Sequence, residues 1–424
     1  MGSYEINSSP FVHGRGDTLC RGCKSSNLFS ALDLGITPIA NELLISPNNL
    51  IESFPLHLKI CQECGLGQVA DVVSPERIFR DYRYLSSISS TFLDHALGFV
   101  EEQVNKDHFG PEDWVLEIAS NDGYLLKNFS AFGIKAIGVE PAENVAKMAK
   151  QLGINTITEF FSKELALRIF QNYGYPKLII ANNVMAHVPD LTDFIKGLAI
   201  LCGPNTQISI ENPSLANILI DMQFDTVYHE HYSYLSCTSV SRISHMHNLH
   251  LDKVEVLSIH GGSTRYWLSR LKLESKPELS VLDLLNYEVS IGLMNPESWL
   301  HFSKKVTSIL QAFEDWLSSQ KVKGGKVFGY GAAAKASTIL NSRMITPGSI
   351  AGIADASLEK QSRFMPPNGI PIISPIELFD QKPTDIIIFP WNIKHEISNY
   401  LFEKLGTSVR IWVVVPKLTE IKMK

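Results

Sequence analysis

The sequence predicts an α/β protein in three parts: a small N-terminal module stapled by metal, followed by two doubly wound α/β units. Three observations predict it. Two Cys-x-x-Cys pairs, Cys20-Arg-Gly-Cys23 and Cys61-Gln-Glu-Cys64, fall near the start of a 424-residue chain. Strand-like and helical runs alternate between residues 114 and 210, the pattern of a parallel sheet with crossover helices. A further strand, Lys326–Tyr330, runs into Gly331-Ala-Ala-Ala-Lys335 and a helix.

Composition sets the frame. A chain of this length holds two or three domains, expected here at 1–80, 81–275 and 276–424. Hydrophobic content of 45% and charged content of 19% fit an ordered globular protein. No run of 18 apolar residues occurs, so no membrane partner is expected. The net charge of −6 counts against nucleic acid as a partner. It leaves room for a small phosphorylated ligand, which needs only one or two local cations.

The cysteines come first in the chain. A Cys-x-x-Cys turn aims two sulfurs at one point about 2.3 Å away, as tetrahedral zinc requires. Two such turns, from Cys20, Cys23, Cys61 and Cys64, close the site and leave no position for water, so the expected zinc is structural. Disulfides are the rival reading. The opening Met1-Gly2-Ser3-Tyr4-Glu5 does not read as a signal peptide, which favours a reducing, cytoplasmic compartment. The rest of this part, rich in Gly, Pro and Asn, shows few long periodic stretches. A hydroxyl-rich stretch from Phe79 to Ser90 then gives way to a helix over 92–104, with apolar residues at 92, 93, 96, 97, 100 and 104.

In the second part, strands are expected at Trp114–Ile118, Ala136–Val139, Lys177–Ala181 and Gln207–Ile210. Helices lie near 123–130, 142–152 and 190–201, and β-rich pieces near 249–259 and 263–272 close the sheet as an antiparallel hairpin. Glu117 ends the first strand, where such sheets bind ligands, and Gly123 lets the backbone approach a ligand. Glu140, before Pro141, ends the next strand and can accept both hydroxyls of a ribose. The turn reads Ala-Ser-Asn121-Asp-Gly123 and not Gly-x-Gly-x-x-Gly, so no pyrophosphate cradle is expected. A cofactor with a ribose and no phosphate fits, S-adenosylmethionine being the common one; a purely structural turn is the other reading. Asn182 and Asn183, ending the next expected strand, could hold the amino-acid end of that cofactor, and His187 follows in the loop.

The third part opens with an amphipathic helix near 297–319, followed by strands at 326–330, 350–354, 384–389 and 410–415. Gly329-x-Gly331-x-x-x-Lys335 places backbone N–H groups at a helix N-terminus, which suits a phosphate. Lys335 and Arg265 could add charge-assisted contacts, and Asp355 could take a ribose. A nicotinamide site and an ordinary glycine turn share this spacing. Tyr228-His-Glu-His-Tyr-Ser-Tyr234, within the second part, reads on its own as a catalytic loop, an aromatic surface loop, or a metal site built from His229 and His231.

In order and spacing these motifs resemble one family, the zinc-containing, S-adenosylmethionine-dependent sugar C-methyltransferases of deoxysugar biosynthesis. The shared stretches are the paired cysteines, Cys61-Gln-Glu-Cys-Gly-Leu-Gly-Gln68, Tyr82-Arg-Tyr-Leu-Ser-Ser87, Glu117-Ile-Ala-Ser-Asn-Asp-Gly123, Tyr228–Tyr234, His260-Gly-Gly-Ser-Thr-Arg265 and Gly329–Lys335. Gly203-Pro-Asn-Thr206 and Pro366-Pro-Asn-Gly369 depart from the family's usual loops. The resemblance implies a class I methyltransferase Rossmann-like domain between a zinc-binding module and a C-terminal Rossmann-like α/β domain. It implies a nucleotide-linked 4-keto sugar as substrate, with His231 as base and Glu230, Tyr228, His187 and Tyr82 lining the sugar site. Ser87 falls to the cofactor and Tyr84 to the substrate.

The implied chemistry explains the residue types. The hydrogen on C3 lies α to the 4-ketone; a base removes it, the charge moves to the ketone oxygen, and the carbon attacks the methyl group. Histidine starts near the required pKa. Tyr82 or a protonated His187 could face the developing oxyanion. C5-, O- and N-methylation stay open as alternatives, and so does a zinc-module binding protein.

Overall fold

The computed structural model describes residues 18–70, 73–79, 87, 90–106, 109–342, 345–346 and 348–422. Three sheets organise them.

The first sheet begins with an antiparallel hairpin of β1 (Leu28–Pro38) and β2 (Ser53–Cys61), to which β3 (Gly67–Gln68) adds. The strands were not legible as alternation in β1, because its register slips between Ser30 and Leu32 and again between Asp33 and Ile36. In β2, Leu56, Leu58 and Ile60 alternate to one face and are buried. They do not form a private core. Together with Leu32 and Leu34 they pack with Trp299, Phe302, Val306, Leu310, Phe313 and Leu317, the apolar stripe of the helix Pro296–Val322. The helix expected to open the third part therefore covers the first, and the same core continues into Val327, Ile353 and Ile387 of the third sheet.

The second sheet contains β4 (Trp114–Ile118), β5 (Lys135–Val139), β6 (Asn155–Ile157), β7 (Leu178–Asn182) and β8 (Gln207–Pro213), all parallel. A two-residue strand, β9 (Ser233–Tyr234), leaves this unit and pairs with β3, completing the first sheet. Then β10 (Leu249–Leu257) and β11 (Ser263–Arg270) form the expected antiparallel hairpin. The spatial order is β6-β5-β4-β7-β8-β11-β10, with β11 antiparallel to β8. This is the class I methyltransferase arrangement that the resemblance implied. Every residue of β4 is buried, as expected of a central strand covered on both faces. The short β6 and the helix Lys163–Tyr173 behind it went unpredicted, since three residues are too few to show a period.

The third sheet has order β14-β15-β13-β12-β16-β17-β18. Its strands are β12 (Val327–Tyr330), β13 (Ile353–Ala354), β14 (Phe364–Met365), β15 (Ile370–Ile373), β16 (Asp385–Ile388), β17 (Arg410–Val413) and β18 (Thr419–Ile421). The five central strands are parallel and the two edges antiparallel. In both large sheets the first strand lies between strands that run away in opposite directions: β4 between β5 and β7, β12 between β13 and β16. Ligands bind at such switch points, outside the carboxyl ends of the strands.

The four cysteines meet beside the first sheet. Their sulfurs all lie within 4.8 Å of one another, with Cys20 and Cys64 3.5 Å apart and Cys23 and Cys61 3.6 Å apart. Four sulfurs at about 2.3 Å from a tetrahedral centre would sit roughly 3.8 Å from each other, so the cluster fits zinc. Each pair is followed by a residue with positive φ, Lys24 at 65° and Gly65 at 76°, which turns the chain back over the sulfurs. None of the four is in a disulfide. The expected result of Cys61→Ser is loss of bound metal and a loss of stability above about 4 kcal/mol, read by metal analysis and thermal melting. Unchanged melting with the metal gone would show the staple to be dispensable.

Candidate active site

At the β4 switch point the turn is built from positive-φ residues, Ala119 (56°), Asn121 (50°) and Gly123 (80°). Glu140, at the end of β5, stabilises it: one carboxylate oxygen accepts from Asn121 N at 3.0 Å, the other from Ala142 N at 2.9 Å. Each oxygen keeps lone-pair capacity for a ribose hydroxyl, and Pro141 follows half-buried. At Gly123 a Cβ would lie 3.1 Å from Ile154 and 3.3 Å from Ala149. The glycine serves the turn and the packing beneath it. Ser87 N reaches Asp122 at 3.3 Å, bringing a predicted cofactor residue to this turn. Asp122 was missed as a site residue, although the turn's sequence contains it. Glu117 is buried, and burial first, then Glu140 and Asp122, raise its carboxyl well above the usual range.

The turn fits S-adenosylmethionine by its unmet hydrogen-bonding capacity. Glu117 Oε2, Asp122 Oδ1 and Asn182 Oδ1 are buried with no partner among the described residues. Native structures rarely leave such groups unmet. A ligand with ammonium and hydroxyl donors would satisfy them.

The Tyr228–Tyr234 loop lies across the carboxyl ends of β7 and β8. His231 Nδ1 is 3.2 Å from the carbonyl oxygen of Thr226, to which it donates. That contact fixes the tautomer and leaves a lone pair on Nε2, which receives the Tyr228 hydroxyl at 2.9 Å. Burial first, then the neighbouring His187, hold His231 well below the ordinary histidine value, so the ring is neutral. The rings of His187 and His231 meet edge-on at 4.7 Å. His187 donates from Nδ1 to the backbone oxygen of Glu230 at 2.7 Å, and burial pushes its pKa down to about 4. The expected protonated His187 is thus corrected: the ring is neutral, its one proton is committed to Glu230, and it cannot donate to an oxyanion.

The neighbours in this loop point elsewhere. His229 turns away toward Pro55 O at 3.3 Å and packs edge-on against Phe54, so His229 and His231 do not form a metal site. Glu230 is buried and accepts both the N–H and the side-chain amide of Asn41 on one oxygen, at 3.0 and 2.9 Å. Nothing in the sequence marked Asn41, which lies nearly 200 positions earlier. Tyr82 and Tyr84 lie outside the described residues.

At the β12 switch point, Gly331 has φ of 89°, and a Cβ there would strike Pro390 at 2.5 Å. Lys335 donates to Asn392 at 3.0 Å and lies over the Trp391 ring, 4.1 Å from its centre. Burial lowers its pKa, and Asp225 opposes the shift. Asp355 is engaged as Glu140 is: its carboxylate accepts from Ala332 N at 2.8 Å and Ser357 N at 2.9 Å, with Lys360 at 3.5 Å, and each oxygen keeps lone-pair capacity. One expectation changes here. Arg265 is not a phosphate ligand: it is buried in the second sheet and paired with Glu211 at 2.8 Å and Glu255 at 3.3 Å.

Three family models match the chain: a putative zinc binding domain over residues 20–79, a methyltransferase domain over 97–254, and a C-methyltransferase C-terminal domain over 258–416. Among curated proteins, C-methyltransferase NovU of Streptomyces niveus is 28% identical over 400 residues, spanning 94% of this chain and 95% of that one. Among solved structures, a SAM-dependent methyltransferase from Anabaena variabilis is 13% identical, with 47% of this chain and 99% of that one covered and a TM-score of 0.32. Magnesium protoporphyrin IX methyltransferase from Synechocystis PCC 6803, with bound SAM, is 16% identical, with 46% and 88% covered and a TM-score of 0.32. With its three domains matched in order, and a likeness to a C-methyltransferase over nearly the whole length of both chains, the protein has the domain make-up of a C-methyltransferase that carries a zinc-binding domain.

Proposed function

We propose that the protein moves the methyl group of S-adenosylmethionine to C3 of a nucleotide-linked 4-keto deoxysugar. The observation that carries this is the state of His231: a neutral ring, its proton held on Nδ1 by Thr226 O, and its basic nitrogen facing the Tyr228 hydroxyl. An O- or N-methyltransferase can use a base as well, for an O–H or N–H proton, but it has no carbanion to form. A carbon acceptor cannot react without one, because a C–H bond must be broken before carbon can attack.

The roles follow from the contacts. The bound donor supplies an electrophilic methyl group on a sulfonium. Glu140, Asn121 and Asp122 line the place for it, with Asn182 and Glu117 toward its amino-acid end. His231 Nε2 takes the C3 proton, and the resulting imidazolium is stabilised through Nδ1–H by the Thr226 carbonyl. The Tyr228 hydroxyl, displaced from Nε2 as the proton arrives, turns to the ketone oxygen, where the negative charge collects. Carbon then takes the methyl group, S-adenosylhomocysteine departs, and His231 returns its proton to solvent. The backbone N–H groups beyond Ala332 and the ammonium of Lys335 face the diphosphate. C5 is the alternative carbon, since it too lies α to the ketone.

Replacing His231 with Asn should leave S-adenosylhomocysteine binding within about twofold while turnover falls by at least about 100-fold, measured by calorimetry and by mass analysis of 4-keto nucleotide sugars. Near-normal turnover would remove His231 from the role. The pH profile gives a second test. A base with a depressed pKa keeps its active, neutral form down to lower pH. Activity should therefore be level through neutrality and fall only below about 6.5, the ordinary histidine value. An acid limb above 7 would contradict a buried neutral imidazole.

A further inference from the structure

Arg265, freed from its expected role, leads to a group that nothing above uses. Glu211, on β8, is fully buried. Its Oε2 accepts from Arg265 at 2.8 Å and lies 3.0 Å from His95 Nε2. Its Oε1 is buried with no partner among the described residues. Burial alone would push this carboxyl up, but His95 and Arg265 outweigh it and hold it below the usual value, so it is ionised. Arg265 is itself anchored by Glu255 and by the Phe99 ring, 4.4 Å from its guanidinium carbon. The network therefore maintains a carboxylate with one oxygen left open.

Strand register shows where that oxygen lies. Asn182 is opposite Glu211 across β7 and β8, and Glu117 on β4 is opposite Ile180, two residues before Asn182. Residues in register across parallel strands share a face, and side chains two apart along a strand do too. Glu117, Asn182 and Glu211 thus stand on one face of three adjacent strands, about 4.8 Å apart from strand to strand, at the carboxyl edge. Each has one oxygen buried and unpartnered: Glu117 Oε2, Asn182 Oδ1 and Glu211 Oε1. Two carboxylate oxygens and one amide oxygen, each without a partner among the described residues, suit a ligand group with three N–H donors and no acceptor, and a primary ammonium is that group.

We propose that Glu211 completes, with Glu117 and Asn182, a three-acceptor seat for the α-ammonium group of the methyl donor, and that Arg265 and His95 are positioning residues that hold the Glu211 carboxyl in place. The inference rests on S-adenosylmethionine as the donor and adds how its amino-acid end is recognised. The ammonium would in turn hold Glu117 ionised in a site where burial otherwise favours its neutral form.

The test is calorimetric binding to the full chain of S-adenosylhomocysteine, its desamino analogue and 5′-methylthioadenosine, which lacks the amino-acid portion. The wild-type protein should prefer S-adenosylhomocysteine to the desamino analogue by at least about 10-fold. Glu211→Gln should reduce the affinity for S-adenosylhomocysteine by about 10- to 100-fold, the size of a charge-assisted hydrogen bond, and leave the two amine-free ligands unchanged. Equal wild-type affinity for S-adenosylhomocysteine and its desamino analogue would overturn the seat without involving any variant. A Glu211→Gln protein that weakens all three ligands alike would reduce Glu211 to a structural residue. Failure of S-adenosylhomocysteine itself to bind would overturn the donor assignment and the seat with it.

Discussion

Everything in the active site depends on one loop, Gln223–Tyr234, being held from two sides. From the zinc-stapled module, Asn41 fixes Glu230, Pro55 receives His229, and β3 pairs with β9. Val69 N donates to Tyr232 O, and the Tyr232 hydroxyl donates to Val73 O. From the C-terminal unit, Trp391 donates to Asp225 at 2.7 Å and Thr338 to Val227 O at 3.1 Å. Between these anchors the backbone has little choice, and His231 is left facing Tyr228 and His187. Two of these ties end on carboxyl groups, Glu230 and Asp225; the others are neutral hydrogen bonds of about 0.5–1.5 kcal/mol each, and together they hold a loop that has almost no regular structure of its own. The four-cysteine cluster lies in the module whose edges grip the loop.

That arrangement explains why the three parts do not behave as beads on a string. The hairpin of the first part packs on the helix Pro296–Val322 of the third, and a strand from the second completes its sheet. A base that must lie within a hydrogen bond's reach of its target needs support on every side. Burial supplies the electrostatics as well. His187 and His231 are kept neutral because a charge there would be poorly solvated. Glu211 is kept ionised because two cationic or donor groups face it. The site therefore sets each group's charge by its surroundings.

Much of this was legible in the sequence, and the limits have physical causes. The buried parallel strands Trp114–Ile118 and Leu178–Asn182 showed as apolar runs, and the glycine turns and cysteine pairs showed as local spacing. What escaped was either too short to carry a period, as in β6, or broken by irregularity, as in β1. Site residues whose partners are distant in sequence escaped as well. Asn41 reaches Glu230, and Glu211 reaches Arg265, through tertiary packing alone. The same reason misled the reading of Arg265: a cation in a loop-like motif suits a phosphate, yet register with β8 gives it a carboxylate. His187 was misjudged because protonation follows burial, which spacing does not report.

The most direct measurement is hydrogen–deuterium exchange at C3 of the 4-keto nucleotide sugar, in heavy water, with S-adenosylhomocysteine in place of the donor so that methyl transfer cannot occur. If the loop holds His231 as the base, the wild-type protein exchanges deuterium into C3 and the His231→Asn protein does not. Exchange that is undiminished in His231→Asn, or that appears only at C5, would contradict the account.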